Sequence, residues 1–154
     1  MRRLVVFNSS PLIALERTGQ LSLLPSLMER AWIPPAVRSE VFGDQALPEW
    51  IEERPLNQPL APRMTAARLG PGEREAIALA LEMGADEVVL DDLAARRLAT
   101  SLGLSVIGTL GLLLRAKQRG LIPEIQPVLE ALQDCEFRIS EKVYAGVLAA
   151  AGET

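Results

Sequence analysis

PGEREAIALALEMGADEVVLDDLAARRLAT, residues 71–100, sets out a helix, a strand and a second helix in succession. Pro71 can open a helix, because its missing N–H falls where no intrahelical partner exists. Gly84 supplies a natural stop, since glycine reaches the left-handed conformation that ends many helices. EVVL (87–90) follows as a short apolar run, the mark of a strand buried on both faces of a parallel sheet. Asp91 and Asp92 stand at its end, and LAARRLATSLG (93–103) reads as the next helix.

The same alternation recurs on both sides of this stretch. LVVF (4–7) is a buried strand, after which Ser9 or Ser10 can cap a helix with Pro11 in its first turn. PLIALERTG stops at Gly19, and LSLLPSLMER (21–30) adds a second short helical piece. AWIPP is a short strand broken by Pro34 and Pro35, and AVRSEVFGD is a helix closed by Gly43. LSVIG is a strand, TLGLLLRAKQRG a helix, and IPEIQPVLEALQDC another. A short EFRIS strand (136–140) and the helix SEKVYAGVLAAAG complete the chain. Between them, residues 44–70 carry Pro48, Pro55, Pro59 and Pro62 and predict a loop or arm, with a short extended piece around IEERPL. Short apolar strands alternating with helices predict an α/β fold with a mostly parallel sheet covered on both sides. All 154 residues fit one domain.

Composition removes several chemistries. The chain has no histidine and a single cysteine, so imidazole general bases and Cys/His zinc sites are excluded. Cys135 has no partner for an internal disulfide, which fits a reducing cytoplasm. With 16 basic and 20 acidic residues, the formal charge of −4 argues against a broad basic surface while allowing a local one. MRRLVVFNSS lacks the apolar stretch of a signal peptide, and no segment is long enough for a membrane span. A cytoplasmic protein is expected.

Four positions carry the functional reading: Asn8, Glu40, Glu73 and Asp91, each expected at the end of a strand or the start of a helix. In open α/β sheets, sites form beyond the carboxyl ends of the strands. Oxygen ligands gathered there suit a hard divalent cation such as Mg²⁺ or Mn²⁺. Glu73 lies in a helix's first turn and shares a face with Ile77 and Leu81, where a carboxylate is costly unless a cation or donors meet it. Each position also has a plain alternative. Asn8 can organise a turn, Glu40 can be solvated, Glu73 can serve the helix dipole, and Asp91–Asp92 can cap the next helix.

The joint arrangement resembles the PIN domain, the metal-dependent ribonuclease fold of VapC-type toxins. Its opening motif corresponds to Asn8-Ser9-Ser10-Pro11-Leu12-Ile13. Its second acid corresponds to Glu40 in AVRSEVFG, while Glu73, Ala80, Leu81, Gly84 and Asp91 match its later half without a gap. NSSPLIALERTGQLSLLP, GEREAIALALEMGAD and GTLGLLLRAKQRGLI resemble a poorly characterised prokaryotic PIN-like branch. The resemblance implies a three-layer α/β/α fold and a metal-dependent endoribonuclease, the toxin half of a toxin–antitoxin pair. It implies that Asn8, Glu40, Glu73 and Asp91 form the catalytic set. These four hold Mg²⁺ or Mn²⁺ with Asp92 as an auxiliary ligand, while Ser10 orients the first-strand ligand or a metal water. Asn8 stands where most active members have Asp; an amide oxygen can bind a hard cation but brings no charge. A second reading follows, a catalytically weakened RNA-binding or regulatory module.

Arg96, Arg97, Arg115 and Lys117, with Arg119, are the candidates for holding RNA phosphates without reading sequence. Solvated helix faces are the plain alternative for each. A third class, a receiver-like domain, would use Asp91 and Lys117, but the rest of its pattern is missing. The expected partners are RNA, an antitoxin protein covering the acidic crevice, and a second copy meeting the apolar helix VYAGVLAAAG.

Overall fold

The short apolar runs form a single sheet whose strand order places the candidate residues. A computed structural model describes residues 3–60 and 68–154. Its strands are β1 (Val5–Phe7), β2 (Ala31–Ile33), β3 (Ile51–Glu53), β4 (Glu87–Val89) and β5 (Val106–Ile107). They lie in the order β3-β2-β1-β4-β5, and every pairing is parallel. Val5 faces Ala31 on one side and Glu87 on the other, and Phe7 faces Val89. The expected extended piece around IEERPL is therefore an edge strand. The remainder of the proposed arm includes residues 61–67, which lie outside the described residues.

Eight α-helices cover the sheet among the described residues: α1 (Ser9–Arg17), α2 (Leu24–Leu27), α3 (Pro35–Phe42), α4 (Pro71–Met83), α5 (Leu93–Ser101), α6 (Thr109–Gln118), α7 (Gln126–Asp134) and α8 (Glu141–Ala150). Side chains alternate between faces along a strand, and the core divides accordingly. Val5, Phe7 and Val89 pack with α1, α2, α6 and α7, while Val6, Val88 and Leu90 pack with α4 and α5. The result is the three-layer α/β/α arrangement expected from the sequence.

The chain moves from β1 out to β3, then returns to add β4 on the other side of β1. Consequently α1 and α5, which follow these neighbouring strands, leave toward opposite faces. A crevice opens at such a reversal, beyond the carboxyl ends of the two strands. Asn8 and Asp91 flank it.

One expected strand does not form. Residues 136–140 join no sheet, because Glu136 takes φ 65° and Phe137 donates its N–H to Leu132 O, closing α7. Phe137 and Ile139 instead pack onto the α1–α7 layer. At the sheet's other end, Glu87 is buried and accepts two hydrogen bonds of 2.9 Å from Arg115, with Arg3 at 3.4 Å. That guanidinium holds the Glu87 carboxyl below its ordinary range against the opposing effect of burial. No described helix is long and apolar enough to cross a membrane.

Candidate functional site

The crevice is built from the first residues after β1 and the first turn of α4. Asn8 occupies the N-cap position of α1 but makes no side-chain capping bond, so its amide is not spent on that helix. Its N–H donates to Val89 O at 3.0 Å, extending the β1–β4 ladder past Phe7. The side chain is buried at 3% exposure, and Oδ1 faces Gly72. A methyl group placed at Gly72 would lie 2.6 Å from Glu40 Oε1, 3.1 Å from Asn8 Oδ1 and 3.2 Å from Ser9 Oγ. Glycine suits this close approach: three side-chain oxygens, two from the adjacent Asn8 and Ser9 and one from Glu40, crowd the place a Cβ would take.

Ser9 Oγ is buried in this cradle and has no hydrogen-bond partner. An orphaned hydroxyl facing an amide oxygen and a carboxylate is an unfinished polar site. In the structure Ser9, rather than Ser10, lines the cradle. Ser10 sits about 100° further around α1, where it is exposed and lines a separate cavity with Arg17 and Phe137.

Glu73 folds back toward the start of its own helix, its Oε1 3.4 Å from where a Cβ on Gly70 would sit, and the Gly70 backbone favours its ionised form. Its carboxyl is nevertheless pushed above the ordinary value of 4.5, chiefly by burial, then by the negative charge of Asp92, with a smaller contribution from Glu40. Glu40, Glu73 and Asp92 therefore share one region of negative potential. Because the ionised form is disfavoured in the fold, it costs stability above the folded pKa, and the cost fades as the solution is acidified through it. Glu73→Gln keeps the length and an acceptor oxygen and should raise the stability of the metal-free protein at pH 7 by no more than about 0.5 kcal/mol, since the group is only partly buried and is screened. Thermal melts from pH 7 to 4 should show that advantage vanish; an advantage that grows on acidification would contradict the assignment.

Asp91 is held differently. Its Oδ1 accepts from Thr109 N–H at 2.8 Å and its Oδ2 from Thr109 Oγ1 at 2.6 Å, so the start of α6 fixes the carboxylate from the β5 side. Thr109 is fully buried. Sequence reasoning passed over it, although a Gly-Thr pair directly after a strand was the available signal. Asp92 caps α5 by accepting from Ala95 N–H at 2.9 Å, the plain alternative considered for the aspartate pair. Among the described residues, no three Asp, Glu, His or Cys side chains converge into a preformed metal cluster. The tight grouping is Asn8, Ser9 and Glu40, with Glu73 and Asp92 beside it and Asp91 turned toward Thr109.

The basic candidates separate. Arg96 donates to Leu90 O at 3.0 Å and lines, with Asp91, a groove of about 480 Å³ that runs to Phe137, Arg138 and Val143. Arg97 is exposed on α5. Arg115 and Lys117 are not brought to the crevice. Arg115 is committed to Glu87 at the opposite end of the sheet, and Lys117 bonds Pro123 O and pairs with Glu153. Arg119 donates to Leu27 O. The α6 helix begins at the crevice and runs away from it, so cations in its last turns end up remote.

A five-stranded parallel sheet in this order, with a buried polar crevice at its reversal, agrees with the comparison of the whole chain with protein families. The model described as "PIN domain" matches residues 4–153. The chain belongs to the PIN-domain family, a nuclease-type fold whose members generally use divalent metal ions. No curated protein and no solved structure matched.

Proposed function

We propose that the protein is a metal-dependent endoribonuclease, hydrolysing RNA phosphodiester bonds with Mg²⁺ or Mn²⁺, and that it acts as the toxin of a toxin–antitoxin pair. The observation that carries this reading is the cradle at Gly72, where Asn8 Oδ1, Glu40 Oε1 and the unpartnered Ser9 Oγ converge. An all-oxygen donor set suits a hard cation. Glu40, Glu73 and Asp91 would hold it with the Asn8 amide, and Asp92 would contribute charge from the rim. When bound, such an ion supplies Lewis acidity, easing deprotonation of water and offsetting charge on the scissile phosphate.

The chain's own groups do the rest. Thr109 fixes the Asp91 carboxylate through both oxygens, so no rotamer is sampled at the moment of reaction. Ser9 can donate to a water in the cradle and orient it. Arg96, together with Arg138 along the groove, can hold phosphates of the strand on either side. In hydrolysis, a water oxygen bonds to phosphorus and the P–O bond to the next nucleotide breaks, that oxygen leaving with a proton.

Asn8 and the open spacing of the carboxylates favour a second reading, a weakened RNA-binding or regulatory module. An antitoxin lying over the crevice and a homodimer are parts of the first proposal; α8, with Val143 46% exposed, offers an apolar face to a second copy. The deciding experiment is cleavage of single-stranded RNA in Mn²⁺. Asp91→Asn, nearly isosteric and still able to accept from Thr109, should reduce the rate at least about a hundredfold. EDTA should abolish it. Cleavage that survives both would belong to a contaminant.

A further inference from the structure

Nothing on α3 itself caps that helix. Its N-cap is Pro34 and its first residue is Pro35, neither of which carries a polar side chain. The Ala36 N–H is therefore one of the orphan donors every helix start must satisfy elsewhere. It donates to Glu75 Oε1 of α4 at 3.1 Å, across 39 residues of chain. The cap of one helix is thus lent by another.

The location of this bond matters for the crevice. Glu40 lies four residues beyond Ala36, one turn along the same face of α3. Gly72 lies three residues before Glu75, one turn along the same face of α4. The Glu75 bond and the Glu40–Gly72 approach are therefore successive rungs between the same two helix faces. Fixing the first sets the second. Gly72 itself has no side chain to stop Glu40, so the spacing of the two helices at the first rung governs how far the carboxylate reaches toward Asn8 Oδ1 and Ser9 Oγ.

We propose that Glu75 is a positioning residue, holding the start of α3 in the register that delivers the Glu40 carboxylate to the cradle. The inference rests on the metal reading above and adds a residue outside the ligand set. It works through reach and hydrogen-bond geometry, with formal charge secondary. Glu75→Gln keeps both the length and an acceptor oxygen, so it should preserve the rung. Glu75→Asp keeps the charge but is one methylene short, and Glu75→Ala removes both.

The test is Mn²⁺ titration by calorimetry, joined to hydrogen exchange at the Ala36 amide in metal-free protein. Glu75→Ala and Glu75→Asp should both weaken Mn²⁺ binding by about tenfold, the lower end of what losing an outer-sphere partner does. Both should also speed Ala36 exchange, while Glu75→Gln stays within about threefold of wild type. If Glu75→Ala fails to fold, the Asp and Gln pair decides the question alone. Affinity that follows charge, with Asp like wild type and Gln like Ala, overturns the inference. So does wild-type-like binding in all three variants. Wild-type protein that takes up no Mn²⁺ is a different result: it removes the metal reading itself, and the positioning role with it.

Discussion

Asn8→Asp should tighten Mn²⁺ binding by about ten- to a hundredfold, roughly 1.4–2.8 kcal/mol, while making the metal-free protein less stable. Both effects have one cause. Position 8 is 3% exposed and its Oδ1 shares the Gly72 cradle with Glu40 Oε1. An amide there is neutral and accepts buried surroundings. A carboxylate would be desolvated beside a like charge, at a cost of about 1–3 kcal/mol without a cation. That corresponds to a fall of about 2–12 °C in melting temperature for a chain of this size. A divalent ion reverses the sign, because the added charge then becomes a ligand. Calorimetry with Mn²⁺ and thermal melts with and without it measure the two halves. Unchanged affinity would mean that position 8 does not face the ion. Gained affinity with newly gained RNA cleavage would identify the natural protein as the weakened module.

The largest stability effect is expected far from that site. Arg115→Met should cost about 2–3 kcal/mol, lowering the melting temperature by about 4–12 °C. Glu87 is 7% exposed and depends on the two 2.9 Å bonds from this guanidinium, with Arg3 a more distant and more exposed partner. Breaking such a pair strands a buried charge, which is worse than never having had the pair. The pH dependence has a definite sign. In wild type the Glu87 pKa is depressed below 4.5, so its contribution is present above that value and is lost as pH falls through the depressed one. In Arg115→Met that support is gone, so the gap between variant and wild type should narrow in acid. Adding Glu87→Met should recover most of the loss, since matched apolar replacements of buried pairs are often neutral. Denaturant melts of the single and double variants test this, and a double variant no better than the single would refute it.

The layered parallel architecture was legible in the sequence because it depends on period and punctuation. VVF, AWI and EVV are short, mostly apolar runs bounded by helix and turn signals, and Pro71 and Gly84 bracket α4. Strand ends also told where Asn8 and Asp91 would sit. What sequence could not supply was rotation and reach. Ser9 and Ser10 differ by 100° about α1, and only packing decides which enters the crevice. Arg115 and Lys117 look free on paper, yet α6 carries them to the opposite end, where Glu87 and Glu153 await them. The EFRIS segment has strand-like composition, but the turn at Glu136 closes α7 and sends it on without pairing to the sheet. Thr109 and Glu75 act through one or two hydrogen bonds to distant segments, and periodicity is blind to such bonds.

The strand order also bears on how the molecule is made. β1 is the central strand, but its β4 neighbour arrives about eighty positions later, as the register of Val6 with Val88 shows. During synthesis the nascent N-terminal half must wait with one long flank of its middle strand unsatisfied and its apolar side chains uncovered. Such late, non-local closure slows folding and invites self-association. Cooler expression and slower translation should therefore raise the yield of native protein, and ribosome-bound fragments ending before β4 should be chaperone clients.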